Sequence, residues 1–355
     1  METINQSDDL LKISTLPDLK ITSNASLKHH NTFGFDAHAD FLIEVGSVST
    51  LQKALNSDFF KSKSLLSIGK GSNLLFVNDF HGIVLHSVIQ FIKILKSVDN
   101  QIWIEAGSGV DWDDFVAYCV NQGWGGIENL SLIPGEIGAA AVQNIGAYGI
   151  EVADLIESVN ALEIETGTNR TFLNAECKYG YRNSIFKTEL KGKYFVTSVI
   201  FKLNTAPKFN LTYQHLENEV LKTDEINLEN IRKTIISIRQ NKLPDPKVMG
   251  NAGSFFMNPV ISIEHFEKIQ TNHPDIPHYR LPNEKVKIPA AWLIEQCGWK
   301  GKQIGHVAVY EKQPLVLLNL GEALPTDILH LAEQIQLSVN EKFGIMLNPE
   351  VNYIE

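Results

Sequence analysis

Short hydrophobic runs separated by turn residues dominate the first third of the chain. After a polar tail at 1–20, β-branched and other apolar residues predict strands at 40–46, 64–76, 82–87, 91–97 and 101–109. The spacing of apolar residues becomes helical at about 49–57 and again at 111–123, where Gly123 is suited to end a helix. Sheet and helix are therefore mixed from the start.

The rest of the chain alternates in the same way, except at 125–150. That segment is so dense in glycine, alanine and turn signals that a long helix is not expected there. The other predicted elements are strands at 157–166 and 194–203, an amphipathic helix at 226–242 stopped by Pro244 and Pro246, a turn and strand at 250–260, a helix at 289–299, a strand at 314–321, a helix at 326–344 closed by Gly344, and a strand at 345–355. The pattern predicts an α+β fold with a larger N-terminal part and a smaller C-terminal domain.

Composition and charge narrow the possible functions. The 355 residues suffice for two or three domains, and 44% hydrophobic with 20% charged residues is typical of globular proteins. The formal net charge is −10, with 31 basic and 41 acidic residues and no basic run. Nucleic acid is therefore not an expected partner.

Cysteine usage and hydropathy indicate the compartment. Cys119, Cys177 and Cys297 are odd in number and far apart, and no spacing indicates a metal site or a disulfide framework. The N-terminus lacks the features of a signal peptide, and no apolar run is long enough to span a bilayer. We expect a soluble cytoplasmic protein without metal and without membrane insertion.

Two glycine-rich segments could hold a phosphate or a flat cofactor. In IGKGSN, Gly69 and Gly71 allow close backbone approach, but the segment is neither a Walker loop nor a dinucleotide fingerprint, since Leu74 replaces the third glycine. A bare glycine turn is the alternative. The segment 126–149 is costly to order, so packing against a cofactor or a tight strand-loop-strand core could each explain it.

Three polar side chains are candidates for chemistry. Arg182 lies among aromatic residues, which suits a planar cation that binds a carboxylate or a phosphate, although for such an arginine in isolation a surface salt bridge is the commoner role. Ser254 follows a glycine-rich turn but lacks both the G-x-S-x-G pattern and triad partners. Glu350 enters an apolar strand, so it is paired, functional or turned towards solvent.

Together these segments resemble the UDP-N-acetylenolpyruvoylglucosamine reductase family. The resemblance covers nearly the whole chain, and its most specific patterns are IPGEIGAAAVQNIGAYG and GNAGSFF. It implies an FAD-binding domain of the vanillyl-alcohol-oxidase (PCMH) type at 21–240 with a Tyr-loop insertion at about 205–222. It further implies a smaller α+β substrate-binding domain at 241–342 and a C-terminal strand at 343–355 that carries Glu350.

The resemblance also implies the reaction and its residues. The family reduces UDP-N-acetylglucosamine enolpyruvate to UDP-N-acetylmuramate with NADPH and non-covalent FAD for peptidoglycan synthesis, and a monomer is expected. Ser254 matches the proton donor, and Arg182 and Glu350 match the other catalytic positions. The matching substrate positions are Tyr148, Tyr213, Lys242, Asn258, Lys300 and Gln313. The matching FAD positions are Gly69, Lys70, Gly71, Ser72, Asn73, Leu74, Ser131, Pro134, Gly135, Gly138, Ala139, Gln143, Asn144, Gly146, Ala147 and Arg239.

Two other functions remain open from the sequence. One is a different FAD oxidoreductase of the same fold that uses O₂ and a sugar or an alcohol. The other is a flavin-binding scaffold without activity. The presence of Ser254, Lys300, Gln313 and Glu350 together in the C-terminal part disfavours the oxidase. The presence of all three candidate catalytic residues disfavours the scaffold.

Overall fold

The computed structural model describes residues 9–213, 216–223 and 225–355. The first eight residues of the predicted tail and residues 214 and 215 of the predicted Tyr-loop thus lie outside the described residues. Two compact units form. The N-terminal unit comprises the described residues up to Ser26 with His38–Lys70 and Phe80–Arg239, and the C-terminal unit comprises Leu27–Ala37, Gly71–Asp79 and Gln240–Glu355. The domain limits expected from the sequence stay a prediction.

Each predicted run contains a strand, but the strands at 19–26, 146–147, 150–151, 169–173, 279–281, 285–287, 303–304 and 307–309 were not predicted, and the first of them begins inside the predicted tail at 1–20. Most of the strands are short. In chain order they are β1 (Leu19–Ser26), β2 (His38–Val45), β3 (Leu65–Ile68), β4 (Leu74–Phe76), β5 (Phe80–Ser87), β6 (Ile92–Val98), β7 (Gln101–Gly107), β8 (Gly146–Ala147), β9 (Ile150–Glu151), β10 (Ile156–Glu163), β11 (Asn169–Leu173), β12 (Tyr194–Asn204), β13 (Val260–Ser262), β14 (Tyr279–Leu281), β15 (Lys285–Lys287), β16 (Gln303–Ile304), β17 (Val307–Val309), β18 (Leu317–Asn319) and β19 (Asn352–Ile354).

The predicted helices are confirmed to within a few residues at their ends. The α-helices are α1 (Val48–Leu55), α2 (Asp58–Lys61), α3 (Trp112–Asn121), α4 (Ile137–Gln143), α5 (Leu216–Val220), α6 (Leu228–Lys242), α7 (Ile263–Asn272), α8 (Ala290–Gln296) and α9 (Pro325–Phe343). Within the described ranges, no helix is both long and apolar enough to cross a bilayer.

Two sheets build the N-terminal unit. One has the order β1-β2-β5-β3, in which β5 runs parallel to both β2 and β3, and the other is antiparallel with the order β11-β10-β12-β7-β6. Helix α3 packs beside the second sheet because Trp112, Phe115 and Cys119 share one face and are fully buried. The Asp111 side chain caps this helix by accepting from the Asp114 N–H.

The C-terminal unit surrounds a separate hydrophobic core. Its sheets have the orders β13-β15-β14 and β16-β17-β18, and a parallel pair joins β19 to β4. The core includes Phe255, Phe256 and the inner face of α9. Helix α9 ends as predicted at Gly344, whose φ of +65° is the left-handed conformation that glycine supplies at a helix end.

Three predicted strands differ from the structure. The predicted strand at 345–355 is a strand only at Asn352–Ile354. The run at 64–76 forms β3 and β4 with the glycine turn between them, so it does not continue through that turn. The segment 250–260 makes only isolated bridges before β13, including one from Ser254 to Val316. Gly253 at φ +69° interrupts regular strand geometry there.

Candidate active site

The glycine turn at 69–73 packs closely against neighbouring segments at both of its glycines. In the N-terminal unit a Cβ on Gly69 would lie 2.9 Å from the Ala139 Cβ, and Lys70 forms an ion pair with Asp111. In the C-terminal unit Gly71 has a φ of +68°, and a Cβ there would overlap the carbonyl group of His30. Both glycines are therefore required sterically, whatever the turn binds.

The end of this turn is joined to the segment that carries Glu350. The Asn73 side chain donates to the Glu350 carbonyl oxygen at 3.1 Å, after Ser72 and just before Leu74 starts β4. The Asn352 backbone N–H in turn donates to the Asn73 carbonyl oxygen at 3.1 Å. The predicted FAD-binding residues 71–74 and the predicted catalytic residue Glu350 thus lie together in the C-terminal unit.

The loop at 130–135 is fixed to the first residues of α3. The Trp112 indole N–H donates to the Leu130 carbonyl oxygen at 2.8 Å, and the Trp112 backbone N–H donates to the Gly135 carbonyl oxygen at 3.1 Å. Between these points the Leu132 N–H donates to the Asp113 carboxylate at 2.5 Å. The neighbouring Ser131 is fully buried. The loop, which also carries Pro134, is therefore held at three places in its length.

Helix α6 presents two arginines towards this region. Arg232 forms a bidentate pair with Asp113 at 2.7 and 2.9 Å. Arg239 lies two helical turns further on, and its buried Nε has no hydrogen-bond partner among the described residues. Burial lowers the pKa of Arg239, although the nearby Tyr148 and Asp113 act in the opposite direction. A buried guanidinium with an unused donor suits an anionic group.

Helix α4 and the hairpin after it position Arg182. Asn144, which is fully buried at φ +50°, donates to the Glu151 carboxylate and to the Gly180 carbonyl oxygen. Arg182, also in the left-handed region at φ +53°, donates from Nη2 to the Gly146 carbonyl oxygen at 2.6 Å. A Cβ on Gly146 would lie 2.9 Å from Nη1 of Arg182. The other predicted FAD residues of this segment are Gly138, Ala139 and Gln143 on α4 and Ala147 on β8.

Tyr148 and Tyr213 are brought together. Their rings contact edge to face with centroids 5.7 Å apart. The Asn129 side chain donates both to the Tyr148 carbonyl oxygen at 2.9 Å and to the Asn210 carbonyl oxygen at 2.8 Å. Burial raises the pKa of Tyr148 even though Arg239 lies near it. The predicted substrate tyrosines therefore share one cluster with the predicted FAD residue Arg239.

Ser254 and Glu350 are neighbours across a backbone bridge. The Phe255 N–H donates to the Leu315 carbonyl oxygen at 2.7 Å, while the Glu350 N–H donates to the Phe255 carbonyl oxygen at 2.8 Å. Ser254 itself pairs with Val316 in an isolated bridge. Since Phe255 is buried, the serine and the glutamate are fixed on either side of a rigid core residue. Two predicted catalytic residues thus come together in the C-terminal unit, and Arg182 lies in the N-terminal unit.

The other predicted substrate residues of the C-terminal unit are placed differently from one another. The backbone carbonyl oxygen of Gln313 accepts the Val316 N–H at 2.9 Å. Gln313 thus lies in the turn that precedes Val316, the residue that pairs with Ser254. Asn258 caps α8 by accepting the Ala290 N–H at 2.9 Å. Lys300 is exposed and pairs with Glu295. Lys242 is the last residue of α6.

Sequence reasoning missed two buried polar pairs in the N-terminal unit. One is Asp113 with Arg232, and the other is His86 with Glu136, whose side chains approach to 3.0 Å. Both Asp113 and Glu136 adjoin segments that the sequence does single out, but their partners are distant in the chain. For Glu136 the available signal was a single carboxylate in a segment of small and apolar residues, whereas Asp113 stands among other aspartates and has no comparable signal.

A cleft of about 650 Å³ opens beside the second of these pairs. Lys70, His86, Gln90, Asp111 and Glu136 contribute polar groups to its lining. Of these residues only Lys70 was predicted to bind a ligand.

The residues of the N-terminal unit are compatible with FAD. The diphosphate of a dinucleotide needs cations and backbone N–H groups, and Arg239 offers a buried donor that no described residue uses. Gly69 lets the turn pack directly against Ala139, because a Cβ at position 69 would lie 2.9 Å from the Ala139 Cβ.

Comparison with known proteins gives two family matches. Residues 39–172 match the FAD binding domain model, and residues 245–354 match the C-terminal domain model of UDP-N-acetylenolpyruvoylglucosamine reductase. These matches confirm the fold class predicted from the sequence.

Curated relatives extend the similarity over the whole chain. A UDP-N-acetylenolpyruvoylglucosamine reductase of Bacteroides fragilis is 49% identical over 93% of this chain and 98% of its own length. One of Porphyromonas gingivalis is 48% identical over 95% of this chain and its full length. The crystal structure of the Thermus caldophilus reductase superposes with a TM-score of 0.65 at 22% identity, covering 95% of this chain and 99% of that one. The last comparison concerns the fold.

Proposed function

Since the chain belongs to the UDP-N-acetylenolpyruvoylglucosamine reductase family, we propose that it reduces UDP-N-acetylglucosamine enolpyruvate to UDP-N-acetylmuramate with NADPH. FAD, when bound, carries the hydride from NADPH to the C3 methylene of the enolpyruvyl group. The product is a precursor of peptidoglycan. The proposal includes an FAD-binding domain at 21–240, a substrate-binding domain at 241–342, a cytoplasmic location and a monomer.

The observation that supports the proposal is the anchoring of the Arg182 side chain and of the backbone that carries Ser254 and Glu350. Arg182 is anchored by the Gly146 carbonyl oxygen, and Ser254 and Glu350 are held on the two sides of Phe255. Such anchoring is what electrostatic preorganisation requires, because a catalytic group that is already oriented needs no reorganisation during the reaction.

Arg182 is assigned the stabilisation of negative charge. Hydride addition at C3 builds negative charge at C2 and on the adjacent carboxylate, and a permanent planar cation can pair with both. Nη2 of Arg182 already donates to the Gly146 carbonyl oxygen, and this bond fixes the orientation of the guanidinium group.

Ser254 is assigned the protonation of C2. A serine hydroxyl is a weak acid, so it acts only where its oxygen is held in place and the developing alkoxide is stabilised. The bridge to Val316 and the glycine turn before Ser254 hold its backbone. Glu350, whose backbone N–H donates to the Phe255 carbonyl oxygen, is assigned the orientation of a water or a share in the stabilisation of the enol.

One experiment separates the proposal from its rivals. The purified protein is examined for a flavin spectrum, bleached anaerobically with NADPH and then given the UDP-enolpyruvyl sugar. Return of the oxidised spectrum with formation of UDP-N-acetylmuramate supports the reductase. Return only on admission of air would identify an oxidase of the same fold, and a colourless protein would contradict both.

A further inference from the structure

Asp113 connects the loop at 130–135, where FAD is proposed to bind, to helix α6. Its Oδ1 accepts both the Leu132 N–H at 2.5 Å and Arg232 Nη1 at 2.7 Å, while its Oδ2 accepts Arg232 Nη2 at 2.9 Å. The carboxylate is thus shared between the loop at 130–135 and helix α6. Neither partner is near it in sequence, since Arg232 lies 119 residues away.

The residue that Asp113 holds is in an unfavourable backbone conformation. Leu132 has a φ of +59°, in the left-handed region that a bulky side chain rarely adopts. A conformation of this kind persists only where the surroundings impose it. The charge-assisted bond from the Leu132 N–H to Asp113 is the contact that does so, and the two Trp112 bonds on either side fix the loop ends.

The loop is also where the cofactor is proposed to bind. Ser131, Pro134 and Gly135, all assigned to FAD, flank Leu132, and the direction of their backbone groups depends on how the chain turns at that residue. The Arg232 pair in turn holds the carboxylate itself, which is only about a quarter exposed. The contacts therefore run from helix α6 through Asp113 to the cofactor loop.

We propose that Asp113, fixed by Arg232, is a positioning residue that holds the loop at 130–135 in its FAD-binding conformation. The inference rests on the proposed function, because the ligand of the loop is the FAD assigned there. Asp113 does not itself touch the reacting atoms in this proposal. It acts by holding Leu132 in the left-handed conformation.

The test compares FAD affinity and stability in variants of the full chain. Asp113→Ala removes both contacts, and Asp113→Asn keeps an acceptor for the Leu132 N–H while facing Arg232 with a donor. The dissociation constant of FAD is measured from the flavin fluorescence released on dilution. We expect it to be roughly ten- to a hundredfold higher for Asp113→Ala than for the wild type, and intermediate for Asp113→Asn. Glu189→Gln removes an exposed ion pair with Lys178 of the same unit and should leave the constant unchanged.

A second substitution distinguishes positioning from a purely structural link. Glycine enters the left-handed region without steric cost, so Leu132→Gly placed in the Asp113→Ala background should recover part of the lost FAD affinity. If Asp113 only linked helices α3 and α6, Leu132→Gly would give no such recovery, because that link would still be missing.

The outcomes are distinct. A lower melting temperature with unchanged FAD affinity in both Asp113 variants would overturn the inference, as would the absence of recovery by Leu132→Gly. Should Asp113→Ala fail to fold, Asp113→Asn alone and with Leu132→Gly answers the same question. A wild-type protein that binds no FAD would overturn the proposed function and this inference with it, whereas wild-type turnover with unaffected variants would overturn only the inference.

Discussion

At the scale of single residues, the proposed proton donor Ser254 lies on a constrained stretch of backbone. Its hydroxyl follows Gly253 at φ +69°, and the next residue is bonded on one side to Leu315 and on the other to Glu350. The backbone that carries the hydroxyl is therefore held in place, which limits where the hydroxyl can lie.

Ser254→Ala should separate the two half-reactions. Removing the proton donor is expected to slow reduction of the enolpyruvyl substrate by about 10²–10⁴-fold, while bleaching of the flavin by NADPH continues at nearly the wild-type rate. Anaerobic stopped-flow absorbance measures both steps. Ser237→Ala, an exposed serine on α6, serves as the control. Loss of both half-reactions together would count against Ser254 as the acid.

The residues that sequence could and could not predict differ in how far away their partners are. Ser254, Arg182 and Glu350 could be proposed from the sequence because local glycine and aromatic patterns mark them and a family resemblance joins them; their catalytic roles stay a prediction. Asp113 has no such local mark. Its role depends on Arg232 and Leu132, and only the folded chain brings these three residues together.

At the scale of elements, the hairpin of β8 and β9 determines where Arg182 lies. Gly146 pairs with Glu151 across the hairpin, and its carbonyl oxygen accepts from Arg182. A side chain at Gly146 would come within 2.9 Å of both the Ile150 carbonyl oxygen and the Arg182 guanidinium. The backbone oxygen cannot move without distorting the hairpin, so the guanidinium is the group that gives way.

Gly146→Ala should therefore impair catalysis through Arg182. A displacement of about 1 Å can cost about 10²-fold in rate, and we expect a loss of that order in kcat/KM for the enolpyruvyl substrate. Gly180→Ala is the matched control, because it lies in the Arg182 segment but a Cβ there would meet nothing within 4 Å. Steady-state kinetics of the two variants decide the point, and equal losses would mean that crowding at Arg182 is not the cause.

The pairing of α3 with α6 should make stability depend on pH. Burial alone raises the pKa of Asp113, but the Arg232 hydrogen bonds, the Leu132 N–H and the charges of Arg232 and Arg239 lower it further than burial raises it. A depressed carboxyl pKa stabilises the folded state fully above the unfolded value of about 4, and this stabilisation is lost as pH falls through the folded value.

Asp113→Asn should then destabilise the protein in a pH-dependent way. We expect a loss of about 1.5–3 kcal/mol in the free energy of unfolding at pH 7, shrinking as the pH is lowered below about 4. Urea denaturation of the wild type and of Asp113→Asn, measured from pH 7 to below pH 4, gives the difference in their free energies of unfolding. A loss that stays constant with pH would show that the charge of Asp113 is not what stabilises the pair.

At the scale of the whole molecule, the net charge is opposite in sign to the charge expected at the ligand-binding segments. The chain carries a formal net charge of −10, yet its proposed ligands are all anionic. The attraction must come from cations concentrated at particular segments, such as Arg182 and Arg239, since the bulk field of the protein repels these ligands. Because screening weakens long-range repulsion more than short-range pairing, the affinity depends on these few residues.

The proposed FAD site should also be visible in the stability of the whole chain. A ligand that binds only the folded state stabilises it by about 2.7 kcal/mol at a concentration one hundred times its dissociation constant, so removal of FAD should lower the melting temperature and its return should restore it. Arg239→Gln should shrink this increment at a fixed FAD concentration, because the buried Nε donor is lost. Arg280→Gln, an exposed arginine on β14, should leave it unchanged. Thermal unfolding at several FAD concentrations measures the increment for each protein. Equal increments in Arg239→Gln and wild type would remove Arg239 from the cofactor site and leave the glycine-rich loops to account for FAD binding alone.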